Sequence, residues 1–263
     1  MRIPQEIVDE ILDHLATDPD HRSLHSSALV SKSWVPSCRR HLFRSVFFSS
    51  SSIARWVDTF PVPEKSPAFH IRDLRFLVEG HNGIPYSEKI SGYVPWFTNV
   101  ERMSLLGDGT HHPVLIPPSW RSPQSTTSLI IDGDSFLLKH IRDILVQLPN
   151  LSDLLLVGHI IPVDKRMLLG IGTALRGRFG GKLQLYRGSA CRDTVDMLLE
   201  IPTGLHFTEA EIGGRYECLI STVRLAEACS ETLMKLTCTV DLRRKSHSFF
   251  PSVTRNIDTD DTS

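Results

Sequence analysis

The chain has 263 residues, 41% of them apolar and 22% charged, with a net charge of -1. That length suits one large domain or two small ones, and the composition supports a packed core rather than a disordered chain. Near-neutrality gives no electrostatic footprint for nucleic acid or an anionic membrane, and no apolar run approaches the ~18 residues of a membrane span. The five cysteines (Cys38, Cys191, Cys218, Cys229, Cys238) are scattered and contain no CxxC pair. That is the usage expected in a reducing compartment. No basic segment followed by an apolar one opens the chain, so no secretory leader is expected and the protein is placed in the cytoplasm, the nucleus or both. Asn150-Leu151-Ser152 matches a glycosylation triplet, which that placement leaves without a role.

The first element expected is a helix over IPQEIVDEILDHL, Ile3 to Leu15. Pro4 suits a first turn, where its missing N–H costs nothing, and Glu6, Asp9 and Glu10 put negative charge near the positive end of the helix dipole. Ile7, Ile11 and Leu15 recur at i, i+4 and i+8, and Val8 and Leu12 widen that stripe. Asp18-Pro19-Asp20 breaks the helix, with Asp20 as a candidate N-cap for a second helix over His21–Lys32. Pro36 opens a third helix through Cys38 to Leu42, ending near Phe43. Three short helices bury little surface, so their apolar faces need a cover. Spacing alone leaves two covers open: the rest of this chain, or a second protein.

Ile3-Pro4, Glu6, the Ile7/Ile11/Leu15 stripe, ALVSKSW (Ala28–Trp34) and RRHLF (Arg39–Phe43) follow one another in an order and spacing that resemble an F-box, in the version common in fungal families. Ile3 stands where that motif usually has Leu, and the linker Thr17–Ser23 is polar. The resemblance covers about 45 residues. It implies docking onto a Skp-type adaptor and, through it, a cullin of a ubiquitin ligase. By motif position, Pro4, Ile7, Ile11, Leu15, Leu24, Val30 and Trp34 would form the docking and core surface, with apolar anchors on short helices.

Arg44–Phe48 reads as a strand, Ser49–Ser52 as a turn able to cap a helix, and Ile53, Trp56, Val57 and Phe60 as the apolar face of that helix. Pro61, Pro63 and Pro67 then end it. Seven segments downstream share an apolar-x-apolar core: Leu74–Phe76, Met103–Leu105, Leu129–Ile131, Leu154–Leu156, Leu183–Leu185, Leu205–Phe207 and Leu236–Cys238. Their first positions are 29, 26, 25, 29, 22 and 31 residues apart. LPNLSDLLLVG (Leu148–Gly158) resembles the strand segment of a leucine-rich repeat, without its Asn/Cys position. Gly80, Gly107, Gly133, Gly158 and Gly188 follow five of the strands, and helical patterns over Phe136–Leu148, Arg192–Glu200 and Ile220–Ala228 fill several gaps. The expected fold is mixed α/β: a three-helix F-box (1–46), a bridging cap and Pro-rich linker (47–69), an irregular leucine-rich-repeat-like α/β solenoid (70–245) and an unstructured acidic tail (246–263). An ordinary α/β domain with similarly spaced strands is the competing architecture.

Side chains alternate along a strand, so the residues between and after the apolar pairs face outward. That stripe runs through Arg75, Leu77, Ser104, Leu106, Ile130, Asp132, Leu155, Val157, Gln184, Tyr186, His206 and Thr208. Leu106, Ile130, Leu155, Val157 and Tyr186 form a candidate target-binding patch. The loop His111–Gln124, with four prolines, could instead lie over it.

Catalytic and cofactor patterns fail in detail. GIGTALRGRFGG (Gly170–Gly181) has Leu175 where a dinucleotide loop needs Gly, and Arg178-Phe179 where a P-loop needs Lys-Ser/Thr. The histidines, including His111-His112, offer neither HExxH nor cysteine partners at zinc spacing. No GxSxG elbow occurs. Cys38 suits a small buried apolar role. The expectation is a non-enzymatic subunit with no cofactor or metal, binding an adaptor and an unidentified protein target. A repeat scaffold that transfers no ubiquitin is the alternative.

Overall fold

The structure, a computed structural model, describes residues 3–17, 21–78, 90–109, 116, 120–133, 136–157, 160–161, 179–186, 191–200, 204–215, 218–241 and 254–256. Three helices come first: α1 (Gln5–Leu15), α2 (Arg22–Val30) and α3 (Val35–Leu42). Pro4 takes the position just before α1, and Arg39, Arg40 and His41 fill the last turn of α3, where the dipole favours cations. The residue preceding α2 is His21, in a left-handed conformation (φ 50°), so the cap does not fall on Asp20, which lies outside the described residues. Val8, Leu12, Leu24 and Cys38 form a small core of their own, with Leu15, Ala16, Ala28, Trp34 and Leu42 packed around it. Ser37 Oγ donates to Asp9 Oδ1 at 2.6 Å, tying α3 to α1.

Nine strands among the described residues make one sheet. β1 (Ser45–Phe48), β2 (Asp73–Val78), β3 (Arg102–Gly107), β4 (Ser128–Asp132), β6 (Asp153–Val157), β8 (Phe179–Tyr186), β9 (Leu205–Arg215) and β10 (Lys235–Asp241) follow in chain order, each parallel to the one before. β11 (Thr254–Asn256) closes the edge antiparallel to β10, inside the span expected to be unstructured; residues 257–263 lie outside the description. β5 (Phe136–Leu137) and β7 (Ile160–Ile161) pair separately. Because β5 takes Phe136 and Leu137, the following helix α5 (Leu138–Leu145) starts later than its apolar pattern. The helices α4 (Ser50–Thr59), α6 (Cys191–Leu199) and α7 (Cys218–Ala228) match the remaining helical patterns. At α4, Ser49 and Ser52 form a reciprocal capping box. β1 is the first rung of the sheet, not part of a separate bridge, and it straddles the boundary expected at residue 46.

The rungs repeat one hydrogen-bond device. The carbonyl of Arg44 accepts from Arg72 N and Asp73 N, that of Arg72 from Glu101 N and Arg102 N, that of Glu101 from Thr127 N and Ser128 N, and that of Thr127 from Ser152 N and Asp153 N, all at 2.8–3.0 Å. Side chains three residues ahead of a strand brace the same turns: Asn99 Nδ2 donates to Phe69 O (2.7 Å), Ser125 Oγ to Val100 O (2.8 Å) and Asn150 Nδ2 to Gln124 O (3.1 Å). Asn150 thus has a structural task unrelated to its glycosylation triplet. Inside, Ile71, Val100, Thr126 and Leu151 stack in one buried column; Leu74, Met103, Leu129, Leu154 and Leu183 form the next.

The register corrects one expected segment. Leu183 pairs with Ala210 and Leu236 with Ala210, so the seventh rung, β9, centres on Ala210-Glu211-Ile212. Leu205-His206-Phe207 is also apolar-x-apolar and also buries its Leu and Phe, but it pairs with Phe179–Gly181, ahead of a bulge at Gly181/Lys182. The bulge absorbs Thr208 and reverses which residues face inward. Thr208 therefore drops off the outward rows and Glu209 and Glu211 continue them, while His206, half-buried between the sealed Leu205 and Phe207, faces outward beside Gly180, ahead of those rows. Counted from Ala210, the irregular steps of 22 and 31 become 27 and 26.

Two glycines are required by geometry. Gly133 has φ 145°, and a Cβ there would lie 2.7 Å from the Gly107 backbone. At the bulge, Gly181 has φ 76°, and a Cβ would meet Ser152 O at 2.3 Å. Gly80, Gly158 and Gly188 lie outside the described residues.

Candidate interaction surfaces

α1 carries two apolar stripes one residue apart. Val8 and Leu12 point into the helical core, with Leu15 packed at its margin. Ile7 and Ile11, on the next azimuth, are 46% and 41% exposed, and Ile3 and Pro4 continue that bare side. On α2 the inward positions are Leu24, Ser27 and Ala28, at i, i+3 and i+4, which turns Leu29 and Val30 outward at 88% and 68% exposure. The seven residues placed on this surface by motif therefore divide. Pro4, Ile7, Ile11 and Val30 are exposed. Leu15 and Trp34 are half-buried against the helical core. Leu24 is fully buried among the three helices and cannot contact a partner, which corrects its assignment. Leu29, the most exposed large apolar side chain described, was missed by the sequence reading. Its signal was the i, i+3, i+4 pattern of α2, which leaves it on the outer azimuth.

Charge around this trio is locally compensated. Hydrogen bonds from Ser37 and then Gln5 hold the Asp9 carboxyl below its usual range. Burial pushes the His41 pKa down despite Asp13 Oδ1 lying 2.9 Å from its Nε2, an approach without hydrogen-bond alignment. Burial also lowers His70, with Arg39 and Arg40 of α3 adding repulsion. Cys38 is buried and its thiol pKa is raised by that burial, which makes it a poor nucleophile.

The second surface is the open face of the sheet. Along each central strand, buried residues alternate with half-exposed ones, so one face packs on the main core and the other looks outward. Register places Arg75, Ser104, Ile130, Leu155, Gln184 and Glu211 in one row, and Leu77, Leu106, Asp132, Val157 and Tyr186 in the next. Four of the five patch residues, Leu106, Ile130, Leu155 and Val157, are half-buried on contiguous strands. Tyr186 aligns with Val157 by backbone register. Ser104, although on this face, is buried between its larger neighbours.

The described part of the loop offered as the alternative cover for this patch lies elsewhere. Ile116 and Trp120 belong to the main core, and the Trp120 ring meets Phe76 edge-on at 5.1 Å, on the inward side of β2. Trp120 Nε1 donates to Ser122 Oγ, and Gln147 Oε1 accepts from Ser122 N. Residues 111–115 and 117–119 are outside the description, as is most of Gly170–Gly181.

No protein-family model matches this chain, and no curated protein matches it. The likeness of its first 45 residues to an F-box thus rests on the residues themselves. Among the described residues, no group of three His, Cys, Asp or Glu side chains is arranged to hold a metal, and no helix is long and apolar enough to cross a membrane.

Proposed function

We propose that this protein is a substrate-receptor subunit of a Skp–cullin–F-box type ubiquitin ligase, with residues 3–43 as the adaptor-binding F-box and the sheet region as a leucine-rich-repeat-like solenoid that holds a target. The observation that carries the reading is the bare apolar side of α1 and α2: Ile3, Pro4, Ile7, Ile11, Leu29 and Val30 stay exposed while the same helices seal Val8, Leu12 and Leu24. A core of four fully buried side chains is small for an independent domain, and a partner laid over the outer stripe would add the missing burial. The eight-rung parallel order, the repeated carbonyl device and rung spacings of 25–29 residues support the solenoid part of the reading.

In this reading the chain performs no bond chemistry. Holding a target lysine near a charged ubiquitin-conjugating enzyme raises its effective concentration, which asks for two surfaces on a rigid frame rather than a nucleophile. The test is capture of a purified Skp-type adaptor. Ile7→Ser with Ile11→Ser should weaken capture by about tenfold or more, as expected for exposed apolar anchors. Undiminished capture would count against the assignment. Ubiquitin transfer to a bound partner in the reconstituted ligase then separates a receptor from a scaffold.

A further inference from the structure

The open face distributes its charges unevenly. At the strand starts, acid and base alternate from rung to rung and neutralise one another: Asp73 Oδ2 lies 2.6 Å from Arg75 and 3.9 Å from Arg102, and Lys182 lies 3.9 Å from Glu209. Nearer the strand ends the face turns aliphatic. There Asp132 stands in register between Leu106 and Val157, two residues along β4 from Ile130, which itself lies beside Leu155. Neighbouring rungs are about 4.8 Å apart and alternate residues about 6.6 Å, so Leu106, Val157 and Ile130 are the direct neighbours of Asp132 on this face, with Leu155 on the diagonal at about 8 Å. Asp132 is exposed, and no hydrogen bond or ion pair reaches its side chain among the described residues. An exposed carboxylate with no ion-pair partner, bordered by aliphatic side chains, attracts a cation whose neighbouring apolar group can pack beside it. An anionic partner meets repulsion from Asp132 and from Glu211 in the next row.

We propose that this face takes a segment of the target in which an aliphatic or aromatic side chain stands beside a lysine or arginine: the apolar group packs on Leu106, Ile130, Leu155 and Val157, and the cation sits on Asp132. This rests on the reading that the sheet region carries the target, and supplies the chemistry by which it would choose one.

The test uses the full chain and short fluorescent peptides in a Gly/Ser background, each with a Phe-Leu pair followed by Lys, Arg, Gln or Glu. Anisotropy titrations should show the Lys and Arg peptides bound about five- to tenfold tighter than the Gln peptide, with the Glu peptide weakest. Asp132→Asn should remove that order, Asp132→Lys should reverse it, and Asp58→Asn, an equal charge change on the exposed side of α4, should leave it intact. Binding of all four peptides with no order, or an order that survives Asp132→Asn, overturns the charge assignment. If Leu155→Gln then weakens all four alike, the open face still stands as the apolar contact. Binding of none of them overturns the open face as the target site, while adaptor capture, measured separately, leaves the F-box assignment where that experiment puts it.

Discussion

The two stripes of α1 make a sharp contrast on a single helix. Leu12 is fully buried in the helical core, whereas Ile11, its neighbour in sequence, is 41% exposed. Leu12→Ala removes side-chain volume from a closed cluster of four buried residues and should cost about 2–5 kcal/mol, the range for large-to-small changes in cores. Ile11→Ala removes atoms that are partly in water already, and at roughly 25 cal/mol per Å2 of lost burial it should cost at most about 1 kcal/mol. Hydrogen exchange of the α1–α3 amides is the assay, because it reports opening of these helices separately from unfolding of the sheet. Leu12→Ala should lower protection across all three helices, and Ile11→Ala should leave it within about fivefold of the parent, the exchange equivalent of that limit. Adaptor capture should show the opposite ranking for any Leu12 variant that stays folded. Equal loss of protection in the two variants would mean that Ile11 is already sealed beneath this chain, and the reasoning that gives α1 an outer partner would fail.

Thr126 occupies the buried column otherwise filled by Ile71, Val100 and Leu151, and its hydroxyl has no partner among the described residues. Thr126→Val should therefore raise stability by about 1–2 kcal/mol, read as a shift of the urea midpoint at constant slope; a lower midpoint would refute it. Gly133→Ala should lower the melting temperature, because the added Cβ would lie 2.7 Å from the Gly107 backbone at φ 145°, while Gly109→Ala, with nothing within 4 Å, should suffer only its own backbone strain. His41 and His70 both have folded pKa values pushed below their ordinary 6.5 by burial. The unfolded chain then binds protons more readily, so the stability these groups confer is present above about pH 6.5 and drains away as pH falls below it. A melting series from pH 7.5 to 5.5 should fall, and the His41→Gln/His70→Gln pair should flatten it; an unchanged slope would clear both residues of that role.

Much of the architecture is legible in local patterns. The spacing of Leu74 and Phe76, Met103 and Leu105, Leu129 and Ile131, and Leu154 and Leu156 marks strand and inward face together, because alternation is a property of the strand itself. Pro4 and the Ser49–Ser52 turn mark helix starts for equally local reasons. The outward-facing, half-buried positions of Leu106, Ile130, Leu155 and Val157 follow from the same alternation.

Other features depend on contacts between residues far apart in sequence. Leu205-His206-Phe207 and Ala210-Glu211-Ile212 are both plausible rungs in one dimension; pairing with β8 and β10 selects the second, and a bulge of one residue flips the parity between them. Asp132 is an ordinary polar residue until register sets it between Leu106 and Val157. Periodicity alone determined that α1 has a broad apolar face. Only the docking of α2 and α3 decided that Val8 and Leu12 close the core while Ile7 and Ile11 stay outside it, because a helix wider in apolar residues than its neighbours can cover must leave one azimuth to the solvent or to a partner.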